Sequence, residues 1–232
     1  MGGVFFRRRR RAQSEALNDR SGDVVNLFRV VKNHPAAFVE EYRLQLYARA
    51  EFDRHRAADI GSLTDVQRAA RFYFLQRARF SGLPVNWSFP ATPLKNKSID
   101  PDTLLRHIDR AYRRLSTVTI ENLDFGEFIR LYDRPTTVFY VDPPYWGKEG
   151  YYGKGLFDRD DFERLAAVLR RLRGRFILSL NDVPEVRRLF AWAVIEEEPV
   201  TYKFKGTKRV TELVITGPLK RLDGTKNPNF CD

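Results

Sequence analysis

The sequence predicts an α/β fold whose sheet is mostly parallel, with an antiparallel hairpin at its edge and a helical insertion. From residue 116 onward, β-branched and aromatic runs alternate with amphipathic helical patterns, the rhythm of parallel strands joined by crossover helices. The last two strand patterns follow each other directly, as in a hairpin. At 232 residues, of which 43% are hydrophobic, the chain is long enough for one packed domain carrying an insertion.

The first half of the chain is predicted to be mainly helical. Residues 22–34 carry an apolar stripe at helical spacing, and Pro35 is expected to open the next helix at its first turn. Residues 81–100 contain three prolines and few periodic apolar positions, which predicts a long loop of the kind that often carries function. The remaining predicted helices, rich in Arg and aromatic residues, cover 36–58, 63–80 and 101–115.

The second half alternates between strand and helix patterns. After a short first strand in "AQSEALND", strands are predicted in "STVTIEN", "TTVFYVD" and "GRFILSLND". Helices are predicted in "FGEFIRLY", "DRDDFERLAAVLRRLR" and "PEVRRLFA". The basic loop "KGTKR" joins the hairpin strands "AVIEEEPVTYKF" and "RVTELVITG". We therefore assign residues 1–34 and 116–232 to the α/β domain, and residues 35–115 to the insertion.

The composition favours a polyanionic partner. Lys and Arg number 41 against 30 Asp and Glu, which gives a formal charge of +11. Such an excess points to DNA, RNA or an anionic membrane surface. Arg outnumbers Lys, and its guanidinium binds phosphates through a bidentate fork. Nucleic acid is the partner that this charge favours most.

Other classes of protein are disfavoured by what the chain contains. The single cysteine, Cys231, allows no disulfide framework within the chain and suits a reducing cytoplasm. No apolar run reaches the ~18 residues that a membrane helix needs, and "MGGVFFRRRRRAQSE" does not read as a signal peptide. His34, His55 and His107 are scattered without ligand spacing, so we expect no metal site.

The stretch "TTVFYVDPPYWGKEGYY" carries the strongest chemical signal. A buried strand pattern runs directly into Asp142, Pro143, Pro144 and Tyr145, and ligands of open α/β sheets bind beyond such strand ends. The two prolines fix two φ angles, so the Asp142 carboxylate and the Pro143 carbonyl are aimed in advance. Two such acceptors suit an exocyclic amine with two N–H donors, and the Tyr145 ring offers a flat face for stacking a base.

This motif resembles the catalytic motif of the N6-adenine-specific DNA methyltransferases, and the rest of the chain resembles their Dam-like (D12 class) branch. "GGVFFR" is similar to the tail of the family's glycine-rich cofactor loop, and "LNDRSGDVVNLFRVVK" to the acidic strand end and helix that follow it. "AARFYFLQRARFSGL", "ENLDF" and "TELVITG" resemble later segments in the same order. The resemblance covers nearly the whole chain and implies a Rossmann-like, S-adenosylmethionine-dependent methyltransferase sheet.

The resemblance implies roles for the motif. The amine of an adenine flipped out of duplex DNA is expected to donate hydrogen bonds to Asp142 and to the Pro143 carbonyl, with Pro144 stiffening the turn and Tyr145 stacking on the base. Asp142 is also expected to border the S-adenosylmethionine site. Cytosine N4 is a less favoured target, because that class usually carries Ser in place of Asp142.

Five further residues are expected to contact S-adenosylmethionine. By resemblance, Asp19 binds the ribose hydroxyls, Asp124 and Phe125 contact the adenine, and Gly2 and Gly3 let the backbone approach the methionine part. Four of these have plainer alternatives, since Gly2 and Gly3 would also simply make the terminus flexible. Asp19 would also serve as a helix-capping residue, and Asp124 would also cap a helix over 126–131.

The remaining expected contacts are to DNA, with residues 35–115 as the target-recognition region. Trp87 would fill the gap left by a flipped base or else anchor the core. Basic side chains are expected to meet phosphates; they are Arg106, Lys205, Lys208 and Arg209. Two rival functions stay open at this point, which are a methyltransferase remnant that only binds DNA and an RNA adenine methyltransferase.

Compared with the family, the sequence lacks a segment upstream of the glycine loop that carries the first strand and a basic residue for the cofactor's carboxylate. Either the start of the chain is misassigned or this is a shortened form. If the chain is complete, we expect the central strand of the sheet to be absent, S-adenosylmethionine to bind weakly and the domain to be marginally stable. The expected setting is a bacterial cytoplasm or a phage, in restriction–modification or genome marking.

Overall fold

The computed structural model describes residues 2–78, 101–153, 155–203 and 207–218. The helices are α1 (Gly3–Arg7), α2 (Gly22–Asn33), α3 (Pro35–Arg43), α4 (Arg49–Ala57), α5 (Asp65–Ala78), α6 (Pro101–Leu115), α7 (Phe125–Tyr132), α8 (Arg159–Arg170) and α9 (Pro184–Leu189). The strands are β1 (Ala16–Asn18), β2 (Thr119–Glu121), β3 (Val138–Val141), β4 (Arg175–Asn181), β5 (Val194–Lys203) and β6 (Thr207–Thr216). The predicted loop 81–100 lies outside the described residues.

The described strands form two sheets. β1 and β2 pair in parallel, and a four-stranded sheet has the order β3-β4-β6-β5. In the larger sheet β3 and β4 are parallel, while β6 runs antiparallel to both β4 and β5. The mixed α/β class and the terminal hairpin are therefore confirmed. The prediction of one mostly parallel sheet is not matched by the described strands, which form two sheets. In the larger sheet only β3 and β4 are parallel, because β6 lies between β4 and β5 and pairs antiparallel to both.

Contacts divide the chain into two compact units. Unit 1 consists of residues 1–128 and 150–156, and unit 2 of residues 129–149 and 157–232. Helices of the 35–115 region share one core with α2 in unit 1, and the domain boundaries drawn from the sequence stay a prediction. The role of residues 35–115 in target recognition stays a prediction.

The core of unit 1 is built around aromatic side chains from the helices. Phe38 of α3 and Tyr42 one turn later stack on each other, and Tyr73 of α5 meets both rings edge-on. Phe52 of α4 and Phe74 of α5 are fully buried in the same core. Such edge-to-face aromatic packing adds to the burial of apolar area, so α3, α4 and α5 are held as one layer.

An ion pair connects the start of the chain to α6. Arg114 donates two hydrogen bonds to the Glu15 carboxylate, at 2.6 and 2.8 Å, and its guanidinium lies 3.6 Å from the centroid of the Phe5 ring. The side chains of Arg114 and Glu15 are 9% and 10% exposed. A bidentate pair shielded in this way gives geometric specificity as well as energy.

In unit 2, one face of the larger sheet is buried. Burial alternates along β4, so that Phe176, Leu178 and Leu180 are buried while the residues between them are more accessible. Leu213 and Ile215 of β6 are buried at matching positions. The alternate residues of β4 and β6 therefore lie on the other face. Near the carboxyl end of β4 these residues are polar.

Candidate active site

The Asp-Pro-Pro-Tyr motif lies directly beyond the carboxyl end of β3, in unit 2. Asp142 is exposed rather than buried in the interior, so its carboxylate is accessible to a substrate. The mass of protein around the carboxylate nevertheless reduces its hydration and raises the pKa of Asp142, and the nearby Glu212 carboxylate adds to that rise. The motif thus presents an accessible acid at a strand end.

The Tyr145 ring is tethered at its outer end. Its hydroxyl donates a hydrogen bond of 2.6 Å to Oε1 of Glu212, on β6. Hydrogen bonds from a hydroxyl to a carboxylate are short and about twice as strong as neutral ones. This contact joins the loop after β3 to a strand nearly seventy positions later in the chain.

The residue after the motif is tethered through its backbone. The Trp146 N–H donates to Oδ1 of Asn181 at 2.8 Å, and Nδ2 of Asn181 donates to the Trp146 carbonyl at 3.3 Å. Asn181 ends β4 and lies directly opposite Glu212 of β6 in the sheet register. Opposite residues of an antiparallel pair point to the same face. The pair Asn181 and Glu212 therefore holds two consecutive loop residues, Trp146 and Tyr145.

A tight turn and aromatic packing complete the loop. The Lys148 N–H donates to the Tyr145 carbonyl at 2.8 Å, and Gly147 has a φ of +79°, as the third residue of a type II turn requires. The Trp146 ring lies 4.9 Å from that of Phe162, and the Arg159 guanidinium lies 4.1 Å over the indole. The backbone beyond Tyr145 is therefore fixed by contacts from several directions.

The first predicted cofactor residue, Asp19, follows β1 in unit 1. Its Oδ1 accepts a hydrogen bond of 2.8 Å from the Ser21 N–H. Burial raises the pKa of Asp19 above its ordinary value, and the bond from Ser21 opposes that rise. Ser21, and not Asp19, is the N-cap residue of α2, so Asp19 shapes the turn before the helix.

Two asparagines lock the carboxyl ends of β1 and β2 together. The Asn18 side chain makes hydrogen bonds with both the N–H and the carbonyl of Leu123, at 2.9 and 3.1 Å. The Asn122 amide donates to the carbonyls of Asp19 and Arg20, at 2.7 and 3.1 Å. The turn after β1 and the segment leading to α7 are therefore held side by side.

Asp124 caps α7, the alternative to cofactor binding that the sequence also allowed. Its Oδ1 accepts a hydrogen bond of 2.9 Å from the Gly126 N–H, at the start of α7. Phe125 is the first residue of that helix and is partly buried. Capping by Asp124 is thus present, and contact with a cofactor's adenine stays a prediction for both residues.

The two N-terminal glycines lie at the start of α1, where the sequence predicted a loop. Gly2 is the N-cap residue with a φ of +60°, and a Cβ there would come within 3.1 Å of the Phe6 ring. Glycine is the residue that adopts this conformation without strain. Gly3 is the first helical residue, and an added Cβ would meet no atom within 4 Å.

Of the predicted DNA contacts, only Arg106 has a described side chain. It is exposed on α6 and donates to Oγ1 of Thr103 at 3.0 Å, with Arg110 and Arg113 also exposed on the helix. Lys208 and Arg209 belong to β6 by their backbone. Trp87 and Lys205 lie outside the described residues.

Two features are absent from the described ranges. None of the helices found there is long and apolar enough to cross a bilayer. Within the same ranges, no three His, Cys, Asp or Glu side chains are grouped so as to hold a metal ion.

The site has the features of an α/β methyltransferase. They are the Asp-Pro-Pro-Tyr loop after β3 and the acids Asp19 and Asp124 after the parallel strands β1 and β2. The family model described as "D12 class N6 adenine-specific DNA methyltransferase" matches residues 2–204. The chain therefore belongs to this family.

Two curated relatives agree with that assignment. The chain is 26% identical to the Type II methyltransferase M1.LlaDCHI of Lactococcus lactis subsp. cremoris, over 88% of this chain and 79% of that protein. It is 20% identical to the Type II methyltransferase M.CviBI of Paramecium bursaria Chlorella virus NC1A, over 87% of this chain and 78% of that protein.

The predicted function is thereby confirmed: the protein is an S-adenosylmethionine-dependent methyltransferase that modifies N6 of adenine in DNA. The family description names DNA and adenine, which decides against the RNA alternative. Sequence reasoning missed four polar residues that shape the two strand-end regions: Asn18, Asn122, Asn181 and Glu212. The available signal was a polar side chain at the end of, or within, an otherwise apolar strand.

Proposed function

We propose that Asp142 and the Pro143 carbonyl accept two hydrogen bonds from the N6 amine of an adenine that has rotated out of duplex DNA. Tyr145 stacks on the flat face of the extruded base. The observation that carries this proposal is the accessible acid at the end of β3, followed by a loop held through Glu212 and Asn181. A base paired in a duplex cannot reach such a loop, and extrusion costs a few kcal/mol.

The chemistry of the amine explains why positioned acceptors matter. The N6 lone pair is delocalised into the purine ring, so the free amine is a poor nucleophile. Hydrogen bonds to two fixed acceptors draw the amine protons away from the ring plane and localise the lone pair. S-adenosylmethionine, when bound, supplies a methyl group activated by a sulfonium. What the protein adds is placement, and preorganised acceptors require no reorganisation during the reaction.

A transfer assay tests this proposal directly. Purified protein, tritiated S-adenosylmethionine and duplex DNA from a strain without adenine methylation are expected to yield labelled N6-methyladenine in the digested nucleosides. Single-stranded DNA and RNA serve as competitors in the same assay. Labelled N4-methylcytosine, or transfer that RNA supports better than duplex DNA, would contradict the proposed substrate.

We further propose that Asp19 binds the ribose hydroxyls of S-adenosylmethionine, with Asp124 and Phe125 against its adenine and Gly2 and Gly3 near the methionine part. The chemistry of Asp19 fits this group, because a carboxylate has acceptor capacity beyond the one bond from Ser21 and ribose hydroxyls are donors. The asparagine contacts of Asn18 and Asn122 support the proposal by holding the carboxyl ends of β1 and β2 together.

Two substitutions at Asp19 separate ribose binding from turn formation. Asp19→Asn keeps an oxygen for the Ser21 N–H but removes the charge, and it is expected to weaken S-adenosylmethionine binding about tenfold, as the loss of one charged hydrogen bond does. Titration calorimetry gives the dissociation constant, and thermal unfolding should change little. Affinity equal to that of the wild type in Asp19→Asn would mean that Asp19 only shapes the turn.

The basic surface is proposed to dock duplex DNA, with residues 35–115 as the recognition region and Trp87, Lys205, Lys208 and Arg209 among its contacts. The exposed arginines of α6 support this, since guanidinium groups suit phosphate oxygens. We also propose that the two sheets belong to one Rossmann-like catalytic fold with a helical insertion. Bacterial cytoplasm, or a phage-infected cell, is the proposed setting.

Arg106 offers a test of this docking surface. If its guanidinium neutralises one phosphate, Arg106→Ala should reduce the slope of log affinity against log salt by about one. Fluorescence anisotropy with a labelled duplex at several salt concentrations measures that slope. A matched control is Arg173→Ala, an exposed arginine of unit 2, for which the slope should stay unchanged. An unchanged slope for Arg106→Ala would remove this residue from the docking surface.

A further inference from the structure

Glu212 and the motif tyrosine form a contact that the family assignment does not explain. Tyr145 donates to the Glu212 carboxylate at 2.6 Å, across unit 2 from the loop after β3 to β6. A stacking ring needs only its flat face, so a hydroxyl tied to an acid has no function in stacking as such. The tie instead restricts rotation of the ring about its χ angles, which sets the plane that a base would meet.

The support behind Glu212 is rigid. β6 is paired on both sides, to β4 and to β5, so Glu212 lies in a central strand of the four-stranded sheet. Its neighbours Leu213 and Ile215 are fully buried. A carboxylate on such a strand has little freedom to move, so its position determines the orientation of the Tyr145 ring.

A second, independent contact fixes the backbone beside the ring. Asn181, opposite Glu212 in the register, makes two hydrogen bonds with the backbone of Trp146. With the backbone held at residue 146 and the hydroxyl held at Glu212, both ends of the Tyr145 side chain are defined. The Trp146 ring is itself packed against Phe162 and under the Arg159 guanidinium.

We propose that Glu212 is a positioning residue of the methyltransferase, which orients the Tyr145 ring for stacking by accepting the hydrogen bond from its hydroxyl. This inference rests on the proposed role of Tyr145 as the stacking residue. Glu212 touches no reacting atom; it acts on the base through Tyr145, and its carboxylate also raises the pKa of Asp142. Substrate orientation is sensitive to such placement, because a shift of about 1 Å far from the chemistry can cost 10²-fold in rate.

Four variants test this role in the transfer assay with unmethylated duplex DNA. Glu212→Leu removes the acceptor and is expected to lower kcat about tenfold while the KM for S-adenosylmethionine changes little. Glu212→Gln keeps an acceptor oxygen and should retain most of the turnover. Tyr145→Phe removes only the donor, so it should match Glu212→Leu. The double variant Tyr145→Phe/Glu212→Leu should be no slower than either single variant, because residues that act as one unit are not additive.

The control lies on the neighbouring strand. Glu198 of β5 is opposite Glu212 in the register and is exposed, so Glu198→Leu makes the same chemical change one strand away and should leave kcat unaltered. Thermal unfolding of all variants reports whether the sheet is intact. A folded Glu212→Leu protein with the kcat of the wild type, or a double variant whose loss is the product of the single losses, would overturn the proposal.

One additional variant separates this inference from the proposal on which it rests. Tyr145→Ala removes the ring itself and should lose more turnover than Tyr145→Phe. If Tyr145→Ala kept the activity of the wild type, the stacking role of Tyr145 would fail and the role of Glu212 with it. If Tyr145→Ala lost activity while Glu212→Leu did not, stacking by Tyr145 would stand and only the positioning role of Glu212 would be refuted.

Discussion

Asp142→Ala is expected to lower methyl transfer by about 10³-fold, the upper range for loss of one preorganised polar group at a reacting centre. The substitution removes one of the two proposed acceptors for the N6 amine, so the lone pair stays delocalised in the ring. DNA binding should be largely retained, because Asp142 is an acid and does not contribute to phosphate contacts. Single-turnover transfer and anisotropy with labelled duplex measure the two effects separately.

An exposed acid of the same unit supplies the control for Asp142. Asp160 lies in the first turn of α8, and Asp160→Ala should keep turnover within about twofold, since exposed surface changes usually have small effects. A folded Asp142→Ala protein with substantial turnover would reject the role proposed for this carboxylate. Loss of both turnover and DNA affinity, with a lowered melting temperature, would instead point to a structural role.

Arg114→Ala is expected to lower the free energy of unfolding by about 2 kcal/mol. This lies between the ~1 kcal/mol ceiling of exposed pairs and the 3–5 kcal/mol cost of breaking a deeply buried pair. The intermediate value is appropriate because both side chains are about nine-tenths buried, while Arg8 lies 3.7 Å from Glu15 and still partly compensates its charge in the variant. The Phe5 ring also loses the cation above its face. Urea denaturation measures the change.

The effect of Arg114→Ala should depend on pH. Hydrogen bonds from Arg114 hold the pKa of Glu15 below its ordinary value of 4.5. A lowered folded-state pKa means that the stabilisation is fully present above the ordinary value and is lost as the pH falls through the lowered one. The difference between wild type and variant should therefore be constant near neutral pH and shrink in acid. A difference that grew in acid would contradict this account.

The neighbouring arginine provides the matched control. Arg113 is exposed and pairs with Asp109 one turn earlier on the same helix. Arg113→Ala should change the free energy of unfolding by no more than about 0.5 kcal/mol, as is usual for exposed pairs of this spacing. Equal destabilisation by the two substitutions would show that the loss does not come from the Glu15 contact, because alanine is the better helix former and does not itself weaken the helix.

Local patterns were sufficient for most elements and for the motif, but the helix predicted over 36–58 is divided into α3 and α4, and α1 lies where a loop was predicted. The strand in "TTVFYVD" and the hairpin "AVIEEEPVTYKF"/"RVTELVITG" were predictable because period-two burial and a turn between paired strands are encoded over a few residues. Asp142–Tyr145 was also readable, since a rigid acidic turn after an apolar strand has few plain interpretations. The family match over residues 2–204 confirms the function that the resemblance implied.

Long-range partners were not readable in the same way. Nothing near Glu212 in the sequence points to Tyr145, and nothing near Asn181 points to Trp146, because each contact joins separate strands and loops. The asparagine contacts of Asn18 and Asn122 span about a hundred residues for the same reason. The extension of one core from α2 into the 35–115 region is likewise a matter of packing.

The sequence by itself determined the α/β class, the order of strands and helices from residue 116 onward, the position of the acidic motif at a strand end and the family to which the chain belongs. These depend on periodicity, turn chemistry and residue spacing, which are local properties. The tertiary structure decided that the strands form two sheets, that β6 inserts between β4 and β5, and that Glu212 meets the Tyr145 hydroxyl. Those outcomes depend on which surfaces and hydrogen-bonding groups find each other across the fold, and spacing along the chain does not encode that choice.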